Sequence, residues 1–237
     1  MTQNPHPFST NLDQERLTPC ELSRLLSTEP NGQFRAIVRA SDASTCATLE
    51  SAGFVQVRRT TEGLVQLSDA DHFTFSAAHT RVANAGLSIG LLAGPLLEDW
   101  LFSHERAYRR CHDANPLAPL NDADRKSFFA DDLQLDAAFA VCDGTQVIAH
   151  ASLRADPDSW AFGWFGADLD GPICPETLNN ALKHLELDFA LRMGLRTLWF
   201  EHDSTDPQAM SMASHLPIRQ PEIWFTYQTK ARFDADL

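Results

Sequence analysis

The stretch LKHLELDFALRMGLRTLWFEHDSTDPQAMSMASHLPIRQPEIW, residues 182–224, carries most of the information about the fold of this chain. Apolar residues recur at helical spacing in its first part, and Gly194 stands where such a helix would end. Two short β-type runs follow, separated by a second apolar helix that a proline ends. The predicted elements are a helix up to Gly194, a strand over 197–200, a helix over 210–216 and a strand over 223–227.

The rest of the chain also alternates between strands and helices. Asp143–Gly144, between two β-rich runs, predicts a hairpin. This order indicates an α/β (α+β) fold with a mixed central sheet flanked by helices. The predicted helices are one that Pro19 opens, 43–51, 95–112 and one from Asn121 or Asp122 to 129, and the predicted strands are 34–38, 54–59, 87–92, 137–141, 146–153 and 159–166.

Composition excludes several classes of protein. A formal net charge of −13 argues against a nucleic-acid partner, because phosphate binding needs clustered Lys and Arg. The acidic surface suits a cationic substrate such as an amine, although such a surface more often serves solubility. The chain has no long apolar run and no signal-peptide pattern, so we expect no membrane partner and a cytoplasmic location. Five scattered cysteines without a CxxC predict no metal site.

The order of elements from residue 182 onward resembles the C-terminal half of the GNAT acyltransferases. The resemblance is to a two-module subgroup whose pattern runs roughly LK…G…NDxxN…LGF…PxW. It covers about residues 87–230 well and 19–67 weakly. The resemblance implies a GNAT fold, acetyl-CoA as cofactor, and transfer of an acetyl or acyl group to an amine by direct attack on the thioester.

The resemblance also suggests how the chain is divided. Sliding the sequence by 164 residues places Asp42 on Asp206 and Ala52–Gly53–Phe54 on Leu216–Pro217–Ile218, so the first part repeats the later order of elements. Such a partial module has an incomplete sheet edge, which is compatible with a homodimer. The predicted division is a flexible arm (1–16), a partial GNAT-like module (17–70), a linker (71–86) and a GNAT domain (87–237).

The family holds the CoA pyrophosphate on a loop before its main helix, where backbone N–H groups and the helix N-terminus cradle the anion. The resemblance places that loop at 168–177. Pro172 and Pro175 offer no N–H there, and three carboxylates (Asp168, Asp170 and Glu176) lie where phosphates would bind. Asp206 takes the place of the last Asn of NDxxN, which in this subgroup caps a helix and approaches CoA. The cofactor-binding residues that the resemblance implies are Gly171, Ile173, Cys174, Thr177, Leu178 and Asp206.

Three residues are candidates for the base that removes a proton from an ammonium group. Glu201 and His202 lie at the end of the central strand, where the GNAT sheet splays open, and His150 lies on a strand that usually lines the acceptor side. Each has a structural alternative. His150 suits a hydrogen-bonded strand histidine, Glu201 a partner of Arg196 or Arg219, and His202 a helix cap.

Two functions therefore stay open. One is an acyltransferase acting on a small-molecule amine or a protein. The other is a catalytically silent GNAT-like protein that binds a small ligand or a protein partner in the same cleft. The acidic loop favours the second function, and so does Ala213, which falls where many GNATs have a Tyr that protonates the leaving thiolate. Whether the chain is an enzyme is left undecided by the sequence.

Overall fold

A computed structural model describes residues 10–12, 18–29, 32–112, 117–130, 133–156 and 159–229. Most of the predicted arm, 1–16, lies outside these residues. The described strands are β1 (Thr10–Asn11), β2 (Phe34–Arg39), β3 (Phe54–Gln66), β4 (Ser88–Leu91), β5 (Ala138–Asp143), β6 (Gln146–Asp156), β7 (Ser159–Ala167), β8 (Thr197–Asp203) and β9 (Ile218–Thr229). The described helices are α1 (Pro19–Thr28), α2 (Ala43–Ser51), α3 (His72–Asn84), α4 (Leu96–Cys111), α5 (Asp122–Ala130), α6 (Pro175–Arg192) and α7 (Pro207–Ala213).

The strands form one mixed sheet in the order β1-β2-β9-β3-β8-β7-β6-β5-β4. The pairs β1–β2 and β7–β8 are parallel, and the other neighbours are antiparallel. Helices flank the sheet, which confirms the predicted α/β (α+β) class with a mixed central sheet. Strand β3 comes from the first third of the chain and lies between β8 and β9, which come from its last fifth.

Residues 72–84 form helix α3, so the prediction of a linker over 71–86 is wrong for this segment. Asp71 caps the helix, because its Oδ1 accepts a hydrogen bond from the Thr74 backbone N–H at 3.0 Å. Phe75 and Val82 are fully buried in the core against the sheet and α6. The further division of the chain at residues 70 and 87 stays a prediction.

The two faces of the sheet are covered by different helices. Alternate residues of β5 show this, because successive side chains of a strand point to opposite faces. Phe139 and Val141 join a core cluster with α3 and α6, whereas Ala138 and Ala140 join one with Trp100 of α4. No helix in the described ranges is both long enough and apolar enough to cross a membrane.

Helix α6 carries a charged pair inside the core. The side chains of Lys183 and Glu186 are fully buried and form a salt bridge with each other. The Lys183 ammonium also lies over the rings of Phe162 and Phe165, 4.6 and 4.9 Å from their centroids. Burial raises the pKa of Glu186 to about 6 and lowers the pKa of Lys183.

Helix α4 crosses β7 at Gly166, where the sheet and the helix approach closely. A Cβ atom at Gly166 would lie 2.4 Å from Ala107 Cβ and 3.1 Å from His150 Nε2. We therefore expect Gly166→Ala to lower the free energy of unfolding by about 1–3 kcal/mol, because α4 must move to make room. Chemical denaturation of the variant measures the change.

Gly90 in β4 provides the matched control for this substitution. It is also a strand glycine, but a Cβ there would meet no atom within 4 Å. Gly90→Ala is expected to change stability by less than about 1 kcal/mol, since the methyl group enters open space. Equal effects of the two substitutions would show that α4 does not pack on β7 as described.

Candidate functional site

The sheet opens between its two parallel central strands, β7 and β8. These strands are paired at Ala161 and Trp199, and no further register pair joins them within the described ranges. Beyond this point the two strands diverge toward their C-terminal ends. Backbone groups of both strands therefore leave the ladder, and a space opens in the middle of the sheet. The sequence placed Glu201 and His202 at such an opening.

A cavity of about 590 Å³ occupies this opening. Its volume lies in the range typical of small-molecule sites. The wall formed by β8 and its neighbours carries charged groups, and the opposite wall, formed by α4 and α5, is mainly aromatic. The lining side chains that matter below are Glu62, Trp100, His104, Tyr108, Phe128, Phe129, Arg154, Trp164, Trp199, Glu201, His202, Asp203 and Asp206.

Glu201 lies on the cavity wall beside other carboxylates. It stands opposite Glu62 of β3 in the strand register, and Asp203 follows two residues later on the same face. Desolvation by the cavity walls raises the pKa of Glu201, and the charges of Asp203 and Glu62 raise it further. Arg58 and Arg154 act in the opposite direction. A raised pKa makes the carboxylate a better proton acceptor near neutral pH.

Glu62 and Asp203 are each held by hydrogen bonds, whereas Glu201 is exposed on the cavity wall. Trp224 Nε1 donates to Glu62 Oε1 at 2.7 Å. Asp203 pairs with Arg58 at 3.0 Å and accepts a hydrogen bond from the Thr60 hydroxyl. Fixed neighbours of this kind hold their charges in place, so Glu201 is the carboxylate of this group that suits proton transfer best.

The two histidines predicted as bases differ in position. His202 lines the cavity, and burial lowers its pKa. His150 is buried in β6 and does not line the cavity. Burial lowers the pKa of His150 well below the ordinary value, and nearby cationic groups add to this effect. The structure thus places Glu201 and His202 at the cavity with their side chains on opposite faces of β8, and it leaves His150 in the layer between β6 and α4.

His104 of α4 is a cavity residue that the sequence did not single out. The residue is 5% exposed, and its ring lies 4.9 Å from the His150 ring and 4.8 Å from the Phe129 ring, centroid to centroid. Burial lowers the pKa of His104 to about 3. Its Nδ1 has no hydrogen-bond partner among the described residues. The feature of the sequence that could have indicated His104 is a histidine on the apolar face of a predicted helix.

The predicted pyrophosphate loop lies between β7 and α6 and is not part of the cavity wall. Ile173 packs on the core, and Thr177 and Leu178 are buried in the first turn of α6. Cys174 precedes α6, and its sulfur contacts the Thr177 hydroxyl at 3.1 Å. Gly171 has open space around its Cα, since a Cβ would meet nothing closer than 3.8 Å. The helix N-terminus has no side-chain cap.

Two arginines of α4 reach this loop and the end of β7 before it. Arg106 pairs with Asp168 at 3.3 Å, and Arg110 donates to the Ala167 carbonyl at 2.7 Å. One of the three carboxylates of the loop is therefore neutralised by a partner far away in sequence. Asp206 caps α7, because its Oδ1 accepts from the backbone N–H groups of Gln208 and Ala209 at 2.9 and 3.1 Å. It also lines the cavity.

Several solved structures share this architecture. A GCN5-related N-acetyltransferase from Sphaerobacter thermophilus matches with a TM-score of 0.62 and 11% identity, over 99% of this chain and 77% of that one. A GCN5-related N-acetyltransferase from Kribbella flavida matches at 0.53 and 14%, over 93% and 78%. A tandem GNAT protein from the clavulanic acid biosynthesis pathway matches at 0.52 and 16%, over 88% and 67%.

These similarities confirm that the chain has the GNAT fold. At such low identities they concern the fold and leave the activity to be argued from the site. No protein-family model and no curated protein sequence matches the chain.

Proposed function

We propose that this chain, which has the GNAT fold, is an acyltransferase that moves an acetyl or acyl group from acyl-CoA to an amine. The observation that supports this most is the cavity at the split between β7 and β8, with the Glu201 carboxylate on its wall. The cavity offers room for two small groups side by side. The carboxylate provides an acceptor for the proton that an attacking ammonium must lose.

Each part of the cavity has a role in this proposal. Bound acetyl-CoA would supply an acyl group activated as a thioester. Glu201 attracts the ammonium form of the amine and takes up its proton, directly or through one water molecule. His202 lies on the opposite face of β8 with its ring near Phe200, so it places no charge beside Glu201. Holding both reactants in one cavity supplies much of the rate, because the encounter no longer costs translational and rotational entropy.

The fit of the cofactor phosphates depends on α4. The loop itself offers few donors, since Pro172 and Pro175 have no N–H. Arg106 and Arg110 would hold the phosphates instead, because both side chains already reach the end of β7 and the loop after it. The uncapped N-terminus of α6 adds a favourable dipole.

A second function is favoured by a specific observation. Two carboxylates of the loop, Asp170 and Glu176, have no ion-pair partner among the described residues, and they oppose a polyanionic cofactor. In this alternative the chain is catalytically silent and binds a small ligand or a protein in the same cavity. The two functions differ in one property, which is affinity for acyl-CoA.

Thermal unfolding with and without millimolar acetyl-CoA tests the proposal. A ligand at about 100 times its dissociation constant adds about 2.7 kcal/mol to the free energy of unfolding. For a chain of this size we expect Tm to rise by roughly 5–10 °C. Arg110→Gln should reduce the rise, whereas Arg192→Gln, which changes an exposed arginine of α6, should not. No rise with acetyl-CoA, CoA or longer acyl-CoAs would favour the silent alternative.

A further inference from the structure

Helices α3 and α6 bring two histidines together on the face of the sheet that these helices cover. The rings of His79 in α3 and His184 in α6 lie 5.0 Å apart, centroid to centroid, and their planes are tilted by 54°. Both residues are partly exposed, and neither lines the cavity between β7 and β8. The pair is therefore separate from the site of the proposed function.

The nitrogens of both rings are available to a ligand. Within the described ranges, neither imidazole forms a hydrogen bond with a protein group, and neither forms an ion pair. His72 of α3 differs in this respect, because its Nε2 contacts the Leu67 carbonyl oxygen at 2.7 Å. A neutral imidazole keeps a lone pair on one of its two nitrogens. His79 and His184 can therefore each donate a lone pair to the same metal ion.

The spacing of the two rings fits such an ion. Zinc–nitrogen bonds are about 2.0–2.1 Å long, and tetrahedral or square-planar bond angles then place two ring centroids about 4.5–5.3 Å apart. The observed distance of 5.0 Å lies in this range. Two rings in simple packing contact can have the same spacing, and metal binding therefore also requires free nitrogens, which this pair has.

The charges around His184 favour a metal ion over a proton. Burial lowers the pKa of His184, and the charges of His79 and His72 lower it further. A histidine must lose its proton before it binds a metal, so a lowered pKa favours binding at neutral pH. Asp188, four residues further along α6, contributes a negative charge near the ring, which attracts a cation.

The number and type of ligands limit which metal ions suit the pair. Within the part of the chain that the structure describes, no group of three or more His, Cys, Asp or Glu side chains is arranged to hold a metal ion. The protein thus provides two ligands, and water provides the others. Imidazole suits Zn²⁺, Ni²⁺ and Cu²⁺, whereas Mg²⁺ and Ca²⁺ prefer oxygen ligands. The lack of a CxxC, on which the prediction of no metal site rests, does not bear on a pair formed by two helices.

We propose that His79 and His184 together bind a divalent transition-metal ion of the Zn²⁺, Ni²⁺ and Cu²⁺ class, which links α3 to α6. The two imidazoles are neighbours only in the folded chain, so the bound ion stabilises the fold. The inference is independent of the proposed function, because the pair lies outside the cavity and its test needs no acyl-CoA.

Calorimetric titration with Ni²⁺ tests this site, and Mg²⁺ serves as the negative probe. The chain is used without an affinity tag, since added histidines would bind the same ion. We expect Ni²⁺ to bind and Mg²⁺ not to bind. At a concentration of about 100 times the dissociation constant, Ni²⁺ should raise Tm by roughly 5–10 °C. Equal effects of Ni²⁺ and Mg²⁺ on Tm would contradict the proposal.

Single variants identify the ligands. His79→Asn and His184→Asn should each weaken Ni²⁺ binding by about 10-fold or more, because one imidazole lacks the chelate effect of two. His215→Asn changes another partly exposed histidine, which faces Asp71, and should leave the affinity within about twofold. Tm without metal shows whether each variant folds, and His79→Gln and His184→Gln replace any that does not. An unchanged affinity of either pair variant, or an equal loss in His215→Asn, would overturn the inference.

Discussion

Glu201→Gln is expected to lower kcat/KM for amine acetylation by about 10²- to 10⁴-fold, the usual contribution of a positioned general base. The glutamine has nearly the same shape and stays on the cavity wall, but it cannot take up the proton of an ammonium. The measurement is the initial rate of CoA release with acetyl-CoA and the most active amine of a screened panel. A loss of rate with an unchanged Tm would identify Glu201 as the general base.

Glu222→Gln is the matched control for this substitution. Glu222 is the register partner of Glu62 in β9, the strand that flanks β3 on the side away from β8. It pairs with Arg39 at 3.3 Å. It lies in the same row of carboxylates but does not line the cavity. Its substitution should leave kcat/KM within about twofold. If Glu201→Gln and Glu222→Gln had equal effects, the acidic row would matter only through its overall charge.

The pH profile gives an independent check on Glu201. A base works when it has lost its proton, so kcat/KM should rise with pH and level off above the pKa of Glu201. Because desolvation and the carboxylates of Asp203 and Glu62 raise that pKa, the acid limb should lie above the ordinary pH range of a glutamate. Glu62→Gln removes one negative neighbour. The acid limb should then move to lower pH.

The largest effect on stability is expected from Glu186→Leu. This substitution leaves the Lys183 ammonium fully buried without its partner. Breaking a buried ion pair in this way costs about 3–5 kcal/mol, since the remaining charge is desolvated and unpaired. For a chain of this size, Tm should fall by roughly 10 °C. Chemical and thermal unfolding measure both quantities.

The reverse substitution and the double variant complete this test. Lys183→Met should cost less than Glu186→Leu, because burial raises the pKa of Glu186 to about 6 and the carboxyl can take up a proton. The double variant should recover most of the lost stability, as buried pairs often can be replaced by apolar residues. Asp188→Leu, which breaks an exposed pair with Arg192 on the same helix, should cost less than about 1 kcal/mol. If Asp188→Leu lowered the free energy of unfolding as much as Glu186→Leu does, the argument that burial makes the Lys183–Glu186 pair costly to break would be contradicted.

Local patterns in the sequence were sufficient for most elements. The Asp143–Gly144 turn and the cap at Asp42 lie where they were predicted. Helix α3 was missed although Asp71 could have been recognised as its cap, because Phe73–Thr74–Phe75 has the composition of a strand. The last helix begins at Pro207 and not at Met210, which the cap at Asp206 explains.

The site was only partly predictable for a different reason. Glu201 and His202 lie in the C-terminal part of β8, so local order was enough to place them near the opening. His104 and Glu62 reach the cavity from α4 and β3, and no local pattern links either to β8. The sequence likewise gave no indication that the arginines of α4 lie near the acidic loop, because Arg106 and Asp168 are 62 residues apart.

The place of β3 in the sheet has a consequence for how the chain folds. Val55 pairs with Gln228 and Phe54 with Thr229, so the centre of the sheet joins residues separated by most of the chain. Contacts of such high sequence separation slow folding, because a long loop must close before the pairing compensates its entropy. During synthesis, β2 and β3 emerge early and have no pairing partners until β8 and β9 are made. Until then, their unpaired edges can pair with other chains. Folding without aggregation therefore requires that β8 and β9 leave the ribosome soon after β2 and β3.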